Sequence, residues 1–205
     1  MKYSISIILP ILNEINSLKK TLQILNKIRV DKEFIVIYSN KLTQDSVKVE
    51  IHSLKKKYKN LKCLKQIRPF VGGAIDLGIR NAKKNYIALM ASDMETNPHE
   101  LSNMINVSSK NNNSIISADR WTSNKGFSDY GLIKFLANFT FQKLLKIFFN
   151  YKILDFTFAY RIYPKNALKN HRIKELRHGF ALETLLAPMK KGFKVITLPA
   201  KWKKR

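Results

Sequence analysis

The chain of 205 residues is short of acid: 14 Asp and Glu stand against 38 Lys and Arg, a formal net charge of +24. It has one cysteine, Cys63, which excludes a disulfide framework and a cysteine-built metal cluster. In "NLKCLKQ" that residue reads as a small side chain on a strand. No run of about 18 uncharged apolar residues occurs, so no membrane-spanning helix is expected. The opening "MKYSISIILPILNE" does not have the form of a secretory signal. Its apolar stretch is short and ends at Asn13-Glu14 without a small-residue cleavage site. The expected location is the cytoplasm, with peripheral contact at the inner face of the membrane left open. There is no internal repeat, low-complexity linker, Walker Gly-Lys-Ser/Thr loop or G-x-G-x-x-G fingerprint. The histidines (His52, His99, His171, His178) are scattered without ligand spacing.

What remains is the composition of a folded domain. Hydrophobic residues make up 45% and aromatics 11%, which excludes disorder, and the length suits one domain, 1–205, with a proper core. A sequence pI of about 10.1 draws the chain to polyanions: nucleic acid, anionic lipid or a phosphorylated substrate. A general drift towards Lys and Asn gives the same number, so charge alone does not choose among them.

Apolar runs and helical stripes alternate through the first 118 residues. "YSISIILPIL", "EFIVIY", "LKCLKQI", "YIALMA" and "SIISA" read as strands. Between them lie a stripe at Ile15, Leu18, Leu22, Leu25 and Ile28, a second at Val47, Ile51, Leu54 and Tyr58, a glycine-led helix "FVGGAIDLGIRNAKK", and "NPHELSNMINVSSK" with Pro98 near its first turn. This order predicts an α/β fold: an open, mostly parallel sheet with helices on both faces. Strands such as "YIALMA" are apolar on both sides, as two covered faces require. Further on, "RWTSNKGFSDYG" is loop-like and 132–154 is aromatic, lysine-dotted and mainly helical in period. "DFTFAYRIYP" follows, then a helix near "FALETLLAPMKKG" and a final strand "FKVITLP".

The chemistry gathers where "YIALMA" runs into "SDMETNP". Ligands of open α/β sheets bind beyond the C-terminal ends of strands, and Asp93 and Glu95 stand at such an end. In an extended segment, residues two apart point the same way, so both carboxylates are placed to hold one Mg²⁺ or Mn²⁺ whose other ligands come from a diphosphate. The same spacing also fits Asp93 as a cap for the helix that follows. Gly72-Gly73, just before a helix, offers bare backbone amides to a phosphate, or simply a tight strand-to-helix turn.

Four blocks, in order and spanning nearly the whole chain, resemble the family-2 glycosyltransferases of GT-A (Rossmann-like) fold, nearest to their polyprenyl- or dolichyl-phosphate mannosyltransferase-like branch. They are "SIILPILNE", "GGAIDLGIRNAKKNYIALMASDMETNPHEL", "LDFTFAYRIYP" and "FALETLLAPMKKGFKVITLPAKWKKR". The resemblance implies metal-assisted, inverting transfer of a sugar from a nucleotide-diphosphate sugar to a polyprenyl phosphate or cell-envelope glycan. Residues 1–118 would form the nucleotide-sugar-binding half and 119–205 the acceptor-binding half. By position it implies Asp93 and Glu95 as metal ligands, and Pro10, Asn13, Glu14, Asp45, Gly72, Gly73, Ser92 and Asp93 as the nucleotide-sugar site. It implies Arg120, Arg161 and Arg205 at acceptor or phosphate, and Glu183 as the base if the acceptor is a hydroxyl; Asp93, Arg161 and Glu183 are thus the catalytic set. A pairing of Arg161 with Asp155 is compatible with this.

Two positions depart from the family pattern. Ala91 stands where the first D-x-D aspartate is expected, and the second strand reads "VIYSNKLTQDS" in place of an Asp-Asp-Gly-Ser ending, with Asp45 as its sole acidic relic. An inactive family member serving as an interaction protein therefore stays open, as does a basic nucleic-acid binder, although phosphates alone would leave Asp93 and Glu95 unexplained. For 135–149 the readings are a core helix, a helix in the membrane interface with Lys143 and Lys146 near its edge, or a partner-binding helix.

Overall fold

A computed structural model describes residues 3–123, 127, 131–149 and 155–202. Its frame is a sheet of seven strands: β1 (Ser4–Ile11), β2 (Asp31–Tyr38), β3 (Leu61–Lys65), β4 (Tyr86–Leu89), β5 (Ser114–Asp119), β6 (Arg161–Pro164) and β7 (Lys194–Pro199), arranged β3-β2-β1-β4-β6-β5-β7. Only β6 runs antiparallel, wedged between β4 and β5; the other pairings are parallel. The helices are α1 (Ile15–Asn26), α2 (Asp45–Lys57), α3 (Phe70–Asn81), α4 (Glu100–Lys110), α5 (Leu132–Phe149) and α6 (Phe180–Lys190).

Period-two alternation along the strands builds two cores. Ile5, Ile7 and Leu9 of β1, with Phe34 and Val36 of β2, pack against Leu18 and Leu22 of α1, Ile51 of α2 and Leu101 of α4. Ile8, Ile35, Ile37 and Leu89 face the other way, onto Ile75 and Ile79 of α3 and Phe180 of α6. That is why the central strands read as unbroken apolar runs: successive residues enter different cores.

Helix α3 sits close to the sheet because Gly78 packs against Ile8; a Cβ there would lie 2.6 Å from Ile8 Cγ2. The strand order reverses between β1 and β4, since the chain moves outward from β1 through β2 to β3 and then returns to β1's other side. A crevice therefore opens beyond the C-terminal ends of β1 and β4.

Candidate active site

That crevice is a cleft of about 1560 Å³, more than the 300–1,000 Å³ of a typical single-ligand pocket. Its floor is Pro10, Ile11 and Leu12 from the end of β1 and Ala91, Ser92 and Asp93 just past β4. One wall is the 39–42 loop after β2, another the connection 65–71 from β3 into α3. Arg120 past β5, Asn138 and Phe141 of α5, and 178–182 at the start of α6 complete it.

The floor is built from the backbone outward. Ser92 is fully buried and its hydroxyl donates to the Pro10 carbonyl at 2.7 Å, tying the end of β4 to that of β1. The next residue, Asp93, lines the cleft, and its Oδ1 accepts the Glu95 amide at 3.0 Å. Met94 between them has φ +68°, in the left-handed region. The chain turns there, and the expectation that Asp93 and Glu95 share a direction does not survive the turn. Glu95 is not among the cleft-lining residues; its Oε2 accepts the Trp202 indole N–H at 3.3 Å, beside the Thr96–Trp202 bridge. Glu95 thus anchors the C-terminal segment. Among the described residues, no three His, Cys, Asp or Glu side chains converge as a metal cluster.

The other sequence-predicted residues divide in the same way. Asn13 shapes the rim: its Oδ1 accepts the Gln44 amide at 2.9 Å and its Nδ2 donates to the Leu42 carbonyl at 3.4 Å, pinning the loop after β2. Glu14 lines the cleft while its carboxylate accepts the Leu12 and Asn13 amides. Asp45 lies outside the cleft, fully exposed in the first turn of α2, where Lys48 at 2.8 Å holds its carboxyl below the usual range.

Both glycines fall inside the first turn of α3, not before it, and Gly72 does not present its amide to a ligand. The Gly72 amide donates to the Leu176 carbonyl at 2.7 Å, and a Cβ on it would lie 2.3 Å from the Glu175 carbonyl oxygen. A Cβ on Gly73 would lie 2.4 Å from the Arg68 carbonyl oxygen. Gly72 is a glycine because another backbone crosses there, and Gly73 because the connection into α3 folds back against it.

Of the arginines expected at the site, Arg120 lines the cleft and Arg161 does not. Arg161 is fully buried in β6. Its guanidinium donates to Ser117 Oγ at 3.1 Å, to the Phe156 carbonyl at 2.8 Å, and to the carbonyls of Asp155 and Ala181. It is a structural bolt with no approach to a substrate phosphate, and the Asp155 carboxylate is taken by another arginine. Arg120 holds it through two hydrogen bonds, Nε–Oδ2 at 2.7 Å and Nη2–Oδ1 at 3.0 Å, with Nη2 also on Thr157. The Arg120 guanidinium lies between the rings of Phe127 and Phe158, 5.2 and 4.7 Å from their centroids, and it faces the cleft. Arg205 lies outside the described residues.

Glu183 does not stand where a base would. Both its oxygens accept the Lys174 amide at 3.0 Å, and Oε2 accepts the Glu175 amide at 2.8 Å. His171 Nε2 lies 3.0 Å from Oε1 without hydrogen-bond alignment. The carboxylate therefore fastens the 171–175 segment to α6, away from the cleft lining.

Sequence reasoning missed the cations of the other walls. Lys41, Lys65 and Arg68 line the cleft. Arg68 Nη1 is braced by Asp76 Oδ2 at 3.1 Å and the Ile173 carbonyl at 2.6 Å. The signal was available: "KQIRPF" lies between a strand end and a helix start, the same placement that singled out Asp93. Phe70, at φ +59° and half exposed at the cleft, stacks under the Arg177 guanidinium.

With this geometry in place, the family follows. The family model described as "Glycosyl transferase family 2" matches residues 6–172, most of the chain. The chain belongs to glycosyl transferase family 2. Its GT-A fold matches solved structures at low identity. Glucosyl-3-phosphoglycerate synthase from Mycobacterium tuberculosis in complex with UDP superposes with a TM-score of 0.73 at 13% identity, over 99% of this chain and 73% of that one. A structure described as a mycobacterial protein gives 0.74 at 14% identity, over 99% and 68%. The synthase with Mn²⁺, UDP-glucose and phosphoglyceric acid gives 0.72 at 13%, over 99% and 72%.

Proposed function

We propose that this family-2 chain transfers a sugar from a nucleoside diphosphate sugar to an acceptor, with inversion at the anomeric carbon. The observation that carries the reading is the setting of Asp93: one carboxylate at the switch point of the sheet, in a cleft whose walls carry Lys41, Lys65, Arg68 and Arg120. A carboxylate among cations, beside room for a large ligand, suits a diphosphate bound through a divalent ion. Related structures of the M. tuberculosis synthase hold Mn²⁺ or Mg²⁺ with UDP.

In this chain Asp93 would hold the ion, alone where the sequence had suggested a pair. Magnesium-type ions tolerate one or two protein carboxylates when phosphates and water supply the rest, so the residues present fit. Such an ion, when bound, offsets charge on the diphosphate. The acceptor oxygen forms its bond to the anomeric carbon as the carbon–oxygen bond to the diphosphate breaks, and the electron pair leaves on the phosphate oxygen. Arg68 and Arg120 are held rigid by Asp76 and Asp155 before that charge develops, which is the condition for electrostatic stabilisation. A phosphate acceptor is already ionised and needs no base. With Glu183 turned away from the cleft, a polyprenyl phosphate suits this site better than a hydroxyl of a cell-envelope glycan.

Thermal shift with a panel of nucleoside diphosphates and their sugars, with and without Mn²⁺, tests the reading. One nucleotide should raise Tm in a metal-dependent way, by the equivalent of about 2.7 kcal/mol at a hundredfold excess over Kd. Asp93→Asn keeps the turn, because an amide oxygen still accepts the Glu95 amide, yet should abolish the shift. Glu95→Gln should retain it. A shift indifferent to Asp93, or no shift with any nucleotide, overturns the proposal.

A further inference from the structure

Helix α5 shows an apolar face that none of the described residues covers. Ile133 is 85% exposed, Phe148 78%, Ile147 77% and Leu132 72%, with Leu136 and Leu144 about half exposed. At 100° per residue these side chains share one side of the helix. Gln142 and Leu145 are buried on the opposite side, and Gln142 bonds to Asp155, Thr157 and the Phe156 amide. A surface helix of a soluble protein is polar on its outer face; α5 is apolar there, with Thr140 and Lys143 as the interruptions.

We propose that the outer face of α5 docks on an anionic lipid bilayer and sets the mouth of the cleft against it. Three observations select this occupant. The segment carries lysines and no acid, on a chain of net charge +24; anionic headgroups attract that combination, whereas two copies of the chain placed face to face would repel. Lys143 lies 4.5 Å from the ring centroid of Phe139, so its ammonium sits at the edge of the apolar face, where a headgroup phosphate would be. Among the described residues no helix is long and apolar enough to cross a membrane, so α5 lies in the interface plane and does not span it.

The face is also continuous with the site. Phe141 is exposed on α5 and lines the cleft, and Asn138 one turn earlier lines it too. A lipid-linked phosphate held in the bilayer by its hydrocarbon would therefore reach the cleft past Phe141 without leaving the membrane. This part rests on the transferase reading above; the docking itself does not.

The experiment is co-sedimentation of the full chain with vesicles of phosphatidylcholine alone and of phosphatidylcholine containing phosphatidylglycerol. Binding to the anionic vesicles is expected, and the double variant Ile147→Glu/Phe148→Glu should reduce it roughly tenfold or more. Both positions are outward-facing and outside the cleft, so the nucleotide-dependent thermal shift should be unchanged in the variant. Undiminished vesicle binding by the variant would assign the attraction to charge elsewhere and overturn the proposal. So would a dimer in sedimentation velocity that the same variant dissolves, since the occupant would then be a second copy. Vesicle binding without any nucleotide shift would leave the docking intact and remove only the transferase reading.

Discussion

Arg161 and Arg120 flank one short segment, carry one charge, and do different work. Arg120 stands at the cleft with its charge matched by Asp155. Among the described residues Arg161 has no carboxylate partner; it satisfies the carbonyls of residues 155, 156 and 181 from within the sheet. Arg161→Met is therefore expected to strip partners from several buried acceptors. At about 1–3 kcal/mol for each group left unsatisfied, the loss should reach roughly 3 kcal/mol or more in urea denaturation. Nucleotide affinity, measured where the variant is still folded, should stay close to that of the parent. The opposite pattern, unchanged stability with lost affinity, would return Arg161 to the site. The two arginines could not be sorted from sequence because each stands at a strand end, Arg120 just past β5 and Arg161 at the first position of β6; burial decides between them, and burial depends on β6 entering the sheet. Asp93 was legible as a strand-end carboxylate. The divergence of Glu95 was not, because it turns on one left-handed residue, Met94, whose type gives no hint of that conformation.

At the scale of elements, the strands that form long apolar runs were readable, and so were the helices with a clean stripe. Strand β6 was not: it is short, it contains a buried arginine and ends in proline, and it gives neither an apolar run nor an alternation. Its antiparallel insertion separates β4 from β5 and sets the end of β5, hence Arg120, across the cleft from β1. The glycine pair, which falls inside the first turn of α3, was legible as a special position but not as the kind it is. A phosphate-cradling loop and a backbone crossing both demand the missing Cβ; at Gly72 the space is taken by residues 175 and 176, a hundred positions away, and at Gly73 by Arg68. Gly72→Ala is accordingly expected to push the 175–176 backbone off α3, costing about 1–3 kcal/mol as overpacking does. Chemical denaturation checks the size. Because the Gly72 amide makes no contact with ligand in this arrangement, nucleotide Kd should change far less than it would if the glycine cradled phosphate.

Across the whole molecule, the excess of positive charge is too widely spread to be a site, yet it is not neutral with respect to one. Lys41 and Lys65 line the cleft beside braced Arg68, so a diphosphate entering it meets cations at contact distance and a broad positive field beyond. These two contributions separate by salt. The Debye length falls from about 10 Å at 0.1 M to about 3 Å at 1 M, which removes the field of distant lysines but leaves contacts partly intact. Affinity for a nucleoside diphosphate, followed by calorimetry, should therefore weaken steeply over the first part of a salt titration and then flatten, while the uncharged nucleoside shows no such slope. Lys41→Gln with Lys65→Gln should cost roughly thirtyfold at low salt, since each charge at 4 Å is worth about 1 kcal/mol in water, and less as salt rises. A slope that continues undiminished to high salt and ignores the two lysines would mean that the ligand is held by the general field of the chain, and that the cleft beyond β1 and β4 is not where it binds.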